Sequence, residues 1–588
     1  MGHLLGSLLR SFALQRLSCQ LSVPRGAKPR NKTQRRRFAI RHGSTHSTAA
    51  VRLSQAAWTV VVTVVVLVPG CKDEKPSNAQ TLQPPELPAD LAQRLAFVDG
   101  TNDAGLSAAP VQSSIAPPKR MLGGLSAADI DDDGDVDLAI VYPSDRGFLL
   151  FANDGGFFRD ITGTHVDDPL LPGAAGALWI DEDGDDDLDL VVVSYDNETP
   201  RFFRQTNGRW TKEPLAFAGL RYAVSPTAGD VNGDGWLDLF VSHWNVNIDV
   251  FFGDGDIEGD LTYLLLGSPN GWVEAAPEVG LTENSLLYSF SGHFLDVTGD
   301  SLPELLVASD FGFSRIFENN GGSQFTDLET ELTDQHGMGS ALIDFDNDGD
   351  QDWFVTSIAA PPEYADLPEA AEYTGNRLYR NDGEGRFVDV SETAFVRDGG
   401  WGWGACAADF DNDGLVDLFH VNGFEPELGQ NLDLFLDDAS RLFLNLGDGR
   451  FIDVAPHVGL VDHDQGRGVA CFDHDRDGDV DIMVMNYQAP LRLWRNEAPA
   501  RNRYLEVSLR APSPNTRAIG ASIEVRAGSL VQTRVVAAGN GFIGQQPDEV
   551  HFGLSENSNV DELRVTWPDG SVTVQHDVAT NQRIVVRP

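Results

Sequence analysis

Cysteine is scarce: Cys19, Cys71, Cys406 and Cys471 are the only four in 588 residues. So few exclude a fold that depends on a disulfide framework. Long hydrophobic runs are also missing. The apolar run at residues 56–68, Ala-Ala-Trp-Thr-Val-Val-Val-Thr-Val-Val-Val-Leu-Val, has 13 residues, short of the ~20 that a membrane-spanning helix needs. No H-E-x-x-H or G-x-S-x-G sequence occurs, and the histidines are scattered. That leaves no linear signature of a zinc peptidase or a serine hydrolase. Positive charge is heavily outnumbered beyond residue 70, where 32 Lys and Arg face 89 Asp and Glu. A surface so acidic repels phosphate backbones, and no basic, aromatic-interleaved patch offsets it, so nucleic acid is excluded as a partner.

The first 70 residues are different in kind. They hold eleven Lys and Arg and no acid. The 13-residue apolar run has the size of a signal-peptide core. Pro69-Gly70-Cys71 follows it, then the polar stretch from Lys72. A small residue and a cysteine after an apolar core resemble a bacterial lipobox, with Cys71 as the lipidated residue that anchors the chain without spanning the membrane. The expectation is therefore an exported protein, either an envelope lipoprotein or a secreted one. The basic prefix at 1–50 does not fit a signal peptide, and translation is expected to start near Val51-Arg52. Residues 71–95, rich in Pro, Gln and Ala, read as a linker.

What the chain has in abundance is one acidic nonapeptide. D-x-D-x-D-G-x-x-D is plainest at Asp344–Asp352, Asp409–Asp417 and Asp473–Asp481. Seven copies are read, with position 1 at Asp129, Trp179, Asp230, Asp296, Asp344, Asp409 and Asp473. Each lies between a Gly/Ala-rich strand and a strongly apolar strand. A third strand and a turn such as Asn381-Asp-Gly383 then lead to a fourth, because Asn-Asp-Gly supplies the positive φ of a tight hairpin. Repeats of about 50–65 residues with four strands each predict propeller blades. The seventh repeat lacks its last strand, and Phe97-Val-Asp-Gly matches the missing piece in form. Residues 96–106 are thus expected to close the last blade and remove an open sheet edge. The fold class expected is all-β: a seven-bladed β-propeller over 96–499, then a small β-sandwich-like domain over 500–588. In that second domain Trp567 is expected in the core.

Side chains at positions 1, 3 and 5 of such a loop converge, the carbonyl of 7 points inward and an acid at 9 completes a shell of hard oxygen donors. That set suits Ca²⁺ better than Mg²⁺. The candidate ligands are Asp129, Asp131, Asp133, Asp135 and Asp137 in the first loop and Asp181, Asp183, Asp185 and Asp187 in the second. The third offers Asp230, Asn232, Asp234, Trp236 and Asp238, and the fourth Asp296, Thr298, Asp300, Leu302 and Glu304. The fifth offers Asp344, Asp346, Asp348, Asp350 and Asp352, and the sixth Asp409, Asp411, Asp413, Leu415 and Asp417. The seventh offers Asp473, Asp475, Asp477, Asp479 and Asp481. An EF-hand is excluded, because no loop has Glu at position 12. Up to seven calcium ions are expected. The second loop, with Trp179 at position 1, and the fourth, with Thr298 and Ser301, should bind most weakly.

The blades resemble FG-GAP/VCBS repeats, similar to the calcium-loop blades of integrin α chains. The C-terminal stretch resembles the ASPIC/UnbV domain at Asn502–Leu509, Ala518–Val525, Gly539-Asn-Gly-Phe542, Val550–Leu554 and Val565-Thr-Trp-Pro-Asp-Gly570. Ser555 departs from that pattern, where Gly is usual. Together the two parts resemble the cartilage acidic protein family. The resemblance implies a secreted or surface-exposed calcium protein of adhesive type and no defined reaction. A binding module for an extracellular protein or glycan is the function expected. A calcium-stabilised enzyme acting on extracellular polymer and a structural partner in a secreted assembly are the alternatives. Binding is expected on the face opposite the acidic loops. There Arg120, Tyr222, His336, Trp401, Trp403 and Arg467 are candidates to ring the channel mouth, beside long loops near 243–262, 358–376 and 422–440.

Overall fold

The computed structural model describes residues 83–588 apart from 112–118, 145, 197–199, 216–218, 245–262, 276–278, 282–285, 287, 323, 329, 331, 362–372, 426–434, 500–501 and 540. The signal-like run, Cys71 and most of the three long loops lie outside the described residues. No helix among those described is long and apolar enough to cross a membrane.

The described chain is all-β. From residue 97 to 496, strands assort into seven antiparallel sheets of four strands, which follow one another in sequence. Their first strands are Leu125–Ala128, Ala174–Ile180, Ala223–Gly229, Ser289–Leu295, Ser340–Ile343, Gly402–Ala408 and Gln465–Phe472. The second strands, such as Asp137–Tyr142 and Asp189–Ser194, are buried at every position. Apolar residues continue through them without alternation because both faces are covered, one by each neighbouring sheet.

Small residues in the first strands let the sheets approach. A Cβ on Gly404 would lie 2.3 Å from the carbonyl oxygen of Arg467 in the next sheet. One on Gly468, in the seventh sheet, would lie 2.8 Å from the amide of Leu125 in the first. The seventh and first sheets are therefore neighbours, and the Gly468 amide donates to the Gly123 carbonyl at 3.1 Å. The seventh sheet takes its outermost strand from the N-terminal side: Phe97, Val98 and Asp99 pair antiparallel with Asn496, Arg495 and Trp494.

Cys406 and Cys471 are not merely small buried residues. They form a disulfide between the first strands of the sixth and seventh sheets, with their Cα atoms 6.3 Å apart. The spacing of equivalent positions in adjacent sheets falls within reach of a disulfide, a distance that sequence separation does not reveal. Removing it with Cys406→Ala and Cys471→Ala should cost about 4 kcal/mol, the chain-entropy value for a loop of this length. Urea unfolding of the double variant beside the parent tests this; superimposable midpoints would contradict it.

The C-terminal domain has two sheets. Arg503–Leu509 lies between Val550–Ser555, antiparallel, and Gln582–Val586, parallel. The second sheet runs Leu530–Val535, Ser522–Ala527, Asn559–Thr566, Val572–Ala579. Trp567 is buried, with its indole N–H given to Thr573 Oγ1 at 2.9 Å. Ser555 adopts φ 51°, the left-handed region that glycine favours,.

Between these sheets residues 538–539 and 541–546 leave the C-terminal domain and run among the first strands of the seven sheets. Gly544 and Gln545 pair in parallel with Leu125 and Ser126. The Ala538 carbonyl accepts from Thr227 Oγ1 and Ala228 N, and the Ile543 amide donates to Ser225 Oγ. Gln545 brackets the backbone of Trp179, and Gln546 that of Val469 and Cys471. The ring of Phe542 lies 5.5 Å from Phe290 and 5.5 Å from Trp403. One segment thus touches six of the seven sheets, and it makes the C-terminal domain part of the same packed body.

Candidate metal centres

All seven acidic loops share one backbone. Position 4 is left-handed in each, from Asn347 at φ 55° to Gly299 at 80°, and so is position 6, from Ser301 at 74° to Gly349 at 99°. This double turn folds the loop back on the carboxylate at position 1. In six of the seven its Oδ2 accepts the amide of position 6, as in Asp129 from Gly134 at 3.0 Å and Asp409 from Gly414 at 2.7 Å. The position 5 carboxylate accepts the amide of position 7, as in Asp133 from Asp135 at 2.8 Å and Asp348 from Asp350 at 2.9 Å.

The second loop fits this frame only with its register moved by two residues. Asp186 N donates to Asp181 Oδ2 at 2.9 Å, and Asp187 N to Asp185 Oδ1 at 3.1 Å. Asp189 pairs with Ile180 across the strands, as Asp137 pairs with Ala128 and Asp481 with Phe472. Position 1 is therefore Asp181, not Trp179. Positions 3, 5 and 7 are Asp183, Asp185 and Asp187, and position 9 is Asp189, absent from the expected ligands. Both Gly184 and Asp186 have positive φ, 75° and 76°, so the glycine sits at position 4 and an aspartate takes the turn at 6. Trp179 is a buried strand residue.

The acid at position 9 has a second duty. Its Oδ2 accepts the amide of position 2, and its Oδ1 the amide at the end of the third strand. Asp417 takes Phe410 N at 3.2 Å and Asn445 N at 2.7 Å. Third-strand amides then reach back to the preceding sheet. Asn445 Nδ2 donates to the Phe345 carbonyl, Asn496 to Phe410 and Asn319 to Val231, each at 2.8 Å. Asn153 in the first sheet donates to His474 in the seventh at 2.8 Å. Position 9 therefore joins loop, sheet and neighbouring sheet. This bracket was missed from sequence, although the recurring Asn at the end of the third strand was its signal.

In the first, second, fifth, sixth and seventh loops the acidic side chains come together. Ligand atoms of Asp129, Asp131 and Asp137 lie within 4.8 Å of one another, as do those of Asp344, Asp346 and Asp348 and those of Asp409, Asp411 and Asp417. Asp181, Asp183 and Asp185 form such a group, and in the seventh loop His474 joins Asp475 and Asp481. Burial pushes the position 9 carboxyls up, Asp137, Asp189 and Asp352 to about 8 and Asp238 and Glu304 to about 7. Burial likewise lifts Asp129 and Asp344 to about 6 and Asp473 to about 8, and holds Asp409 and Asp417 well above the usual range. Asp129 Oδ1, Asp344 Oδ2 and Asp475 Oδ1 are buried and have no hydrogen-bond donor. Clustered hard oxygens, some of them undonated, are a donor set that fits an oxygen-seeking divalent cation.

Arginine supplies positive charge to three loops. Arg204 Nη2 lies 2.5 Å from Glu182, and Nη1 bonds Asp183. Arg94 donates to Asp411 and Asp413 Oδ2, each at 2.6 Å. The C-terminal domain brings Arg583 to the Gly134 carbonyl and Asp129, Arg510 and Arg517 to Asp132, and Thr516 to Asp181. It also meets the fifth, sixth and seventh loops, through Thr533 O with Gln351, Ser555 N with Asn412 O, and His551 with Gly478 O.

The six residues expected at the channel mouth have other surroundings. Arg467 is 1% exposed and Trp403 3% exposed, so neither can face a ligand as expected. The Arg467 guanidinium lies 4.6 Å over the Trp403 ring and donates to the carbonyls of Arg120, Gly423 and Gly466. Backbone carbonyls, not a channel, are its destination. Trp401 is half-buried and stacks on Phe424 at 4.1 Å. His336 Nδ1 pairs with Asp310 at 2.7 Å, Arg120 with Glu425 at 3.6 Å, and Tyr222 packs edge-on against Tyr195.

Comparison with known proteins defines the class. Residues 181–241, 296–355 and 365–420 match the FG-GAP-like repeat, and residues 511–588 match "ASPIC and UnbV". The chain thus carries FG-GAP-like repeats and a C-terminal ASPIC/UnbV domain. Its relatives include cartilage acidic protein 1 of Homo sapiens, 23% identical over 547 residues, covering 83% of this chain and 76% of the relative. Cartilage acidic protein 1 of Mus musculus is 24% identical, covering 80% and 75%. Among solved structures, the V. cholerae biofilm matrix protein Bap1 overlaps 83% of this chain and 71% of its own at 12% identity and a TM-score of 0.30.

Proposed function

We propose that the seven sheets are the blades of a closed seven-bladed β-propeller, that its loops take up calcium, and that the protein works outside the cytoplasm as a binding or adhesion module. The observation that carries the reading is a single loop backbone repeated seven times, with acidic side chains converging in the first, second, fifth, sixth and seventh loops and buried oxygens that no donor reaches in the first, fifth and seventh. Side-chain oxygens at positions 1, 3, 5 and 9 and the carbonyl of 7 would hold the ion. Bound there, calcium supplies charge neutralisation at the junction of first and second strands. The chain's own residues do the rest: the left-handed turns at 4 and 6 preset the cage, and the position 9 bracket passes its rigidity to the preceding blade.

The loops differ in what a cation must overcome. The fifth has a full set of acids and no arginine bonded to a ligand position among the described residues. The second also has a full set, but Arg204 occupies it. The fourth offers Thr298 where the others present Asp or Asn. The second and fourth are weakened, the second through competition with Arg204 and not for want of a ligand, and Arg94 on Asp411 and Asp413 sets the same competition in the sixth. Export is supported by the Cys406–Cys471 disulfide, since such bonds persist in oxidising compartments, and by the apolar run that precedes Cys71. The role proposed is recognition of an extracellular protein or glycan rather than catalysis.

The test is capture of partners from native envelope or matrix extract, in millimolar calcium and in chelator. A discrete partner retained in calcium and released by EDTA is the expected result. Recovery that is the same in both buffers would remove the calcium-dependent binding role.

A further inference from the structure

We infer that a cleft between the third, fourth and fifth acidic loops and the C-terminal domain is a binding site for an uncharged, hydroxyl-rich ligand the size of a short saccharide. This rests on the reading of the loops as calcium sites but adds a ligand and a place.

The cleft follows from how the C-terminal domain is seated. Over the first and second loops it is held by Arg583, Arg510, Arg517 and Thr516. Over the sixth and seventh it is held by backbone contacts at Asn412 and Gly478. No ion pair among the described residues reaches Asp230, Asp234, Asp296 or Asp300. On that side a gap of about 360 Å³ remains. Packed interiors rarely leave voids larger than a water molecule, and a gap this large falls in the range of small-ligand pockets, roughly 300–1,000 Å³.

Its lining has a definite chemistry. Carboxylates come from Asp230, Asp296, Asp350 and Glu384, and neither Lys nor Arg contributes. With no Lys or Arg to pair with, a carboxylate, sulfate or phosphate is disfavoured beside these acids, Asp350 and Glu384 above all,. Amides and hydroxyls of Gln351, Thr298 and Ser301 stand beside the acids, and Leu295, Val535 and Pro568 supply an apolar wall. Hydroxyl groups donate to carboxylates and exchange hydrogen bonds with amides, while the C–H face of a sugar ring packs on apolar side chains. A cationic amine would satisfy the acids but not the apolar wall, and where calcium occupies Asp230 and Asp296 much of its attraction is gone.

Ala537 lines the cleft, and Ala537→Phe narrows it while leaving every loop carboxylate in the sequence. Glu384→Gln changes an exposed side chain of the cleft that is not a candidate calcium ligand. The full chain in millimolar calcium is screened by saturation-transfer NMR and calorimetry against glucose, galactose, N-acetylglucosamine, lactose and cellobiose, with spermidine as the amine probe. At least one neutral sugar should bind saturably, and either variant should lose that binding while melting like the parent. The proposal falls if no neutral sugar binds the parent, if spermidine alone binds, or if both folded variants bind as the parent does. Calcium-dependent melting is recorded on the same samples. A retained calcium shift without sugar binding sinks the cleft and leaves the calcium reading standing; loss of the calcium shift sinks the other.

Discussion

Excess EDTA should lower the melting temperature by about 10 °C at neutral pH, and returning calcium, but not magnesium, should restore it. Extracellular calcium modules bind at roughly 10⁻⁴–10⁻³ M. At about 10 mM calcium each filled loop then contributes about 1.4–2.7 kcal/mol by mass action. Summed over five to seven loops that is on the order of 10 kcal/mol. A chain of this length unfolds with an entropy of about 1 kcal/mol per kelvin, so each kcal/mol moves the midpoint by roughly 1 °C. Calorimetry at matched pH with calcium, magnesium and chelator reads the effect. Superimposed traces in calcium and EDTA would refute the metal reading of the loops, because nothing else in the fold ties seven separate turns to one ion.

The second large effect is on pH dependence, and its sign is opposite to ordinary acid denaturation. An aspartate ionises near 3.9 in the unfolded chain. In the folded, metal-free protein burial holds Asp129 and Asp344 near 6 and Asp137, Asp189, Asp352 and Asp473 near 8. Between about pH 4 and 8 the folded state therefore binds more protons than the unfolded state, so stability falls as pH rises. The calcium-free protein should melt at a higher temperature at pH 5 than at pH 8. Calcium favours the ionised carboxylates, so it should flatten the slope and stabilise most at the alkaline end. Melting curves at both pH values, each with calcium and with EDTA, check this. A metal-free protein more stable at pH 8 than at pH 5 would mean that the loop carboxylates are already charged and compensated.

Much of the fold was legible because a repeat architecture writes its period into the sequence. The acidic loop marks where each first strand turns into its second, and Asn-Asp-Gly marks the outer hairpin. The match between residues near Phe97 and the outer strands located the edge that Phe97–Asp99 fills. The second loop shows where local pattern misleads. Its single glycine fits either left-handed position, and only the cross-strand pairing of Ile180 with Asp189 fixes the register. Arg467 and Trp403 misled for a related reason: a cation and an aromatic near a channel suggest a ligand face, but the burial that makes them structural belongs to neighbours distant in sequence.

Composition and spacing alone determined an all-β chain of acidic repeats, with its oxygen donors and a seventh repeat short of its last strand, because those follow from residues a few positions apart. Tertiary structure alone decided the Cys406–Cys471 bond, the brackets from the first, fourth, sixth and seventh sheets' third strands to the preceding sheet, the threading of Phe542 and its neighbours among the first strands, and the gap left over the third to fifth loops. Each of these depends on distances between segments tens to hundreds of residues apart, set by how glycine-lined strands pack and where a second domain comes to rest, and no local pattern encodes such distances.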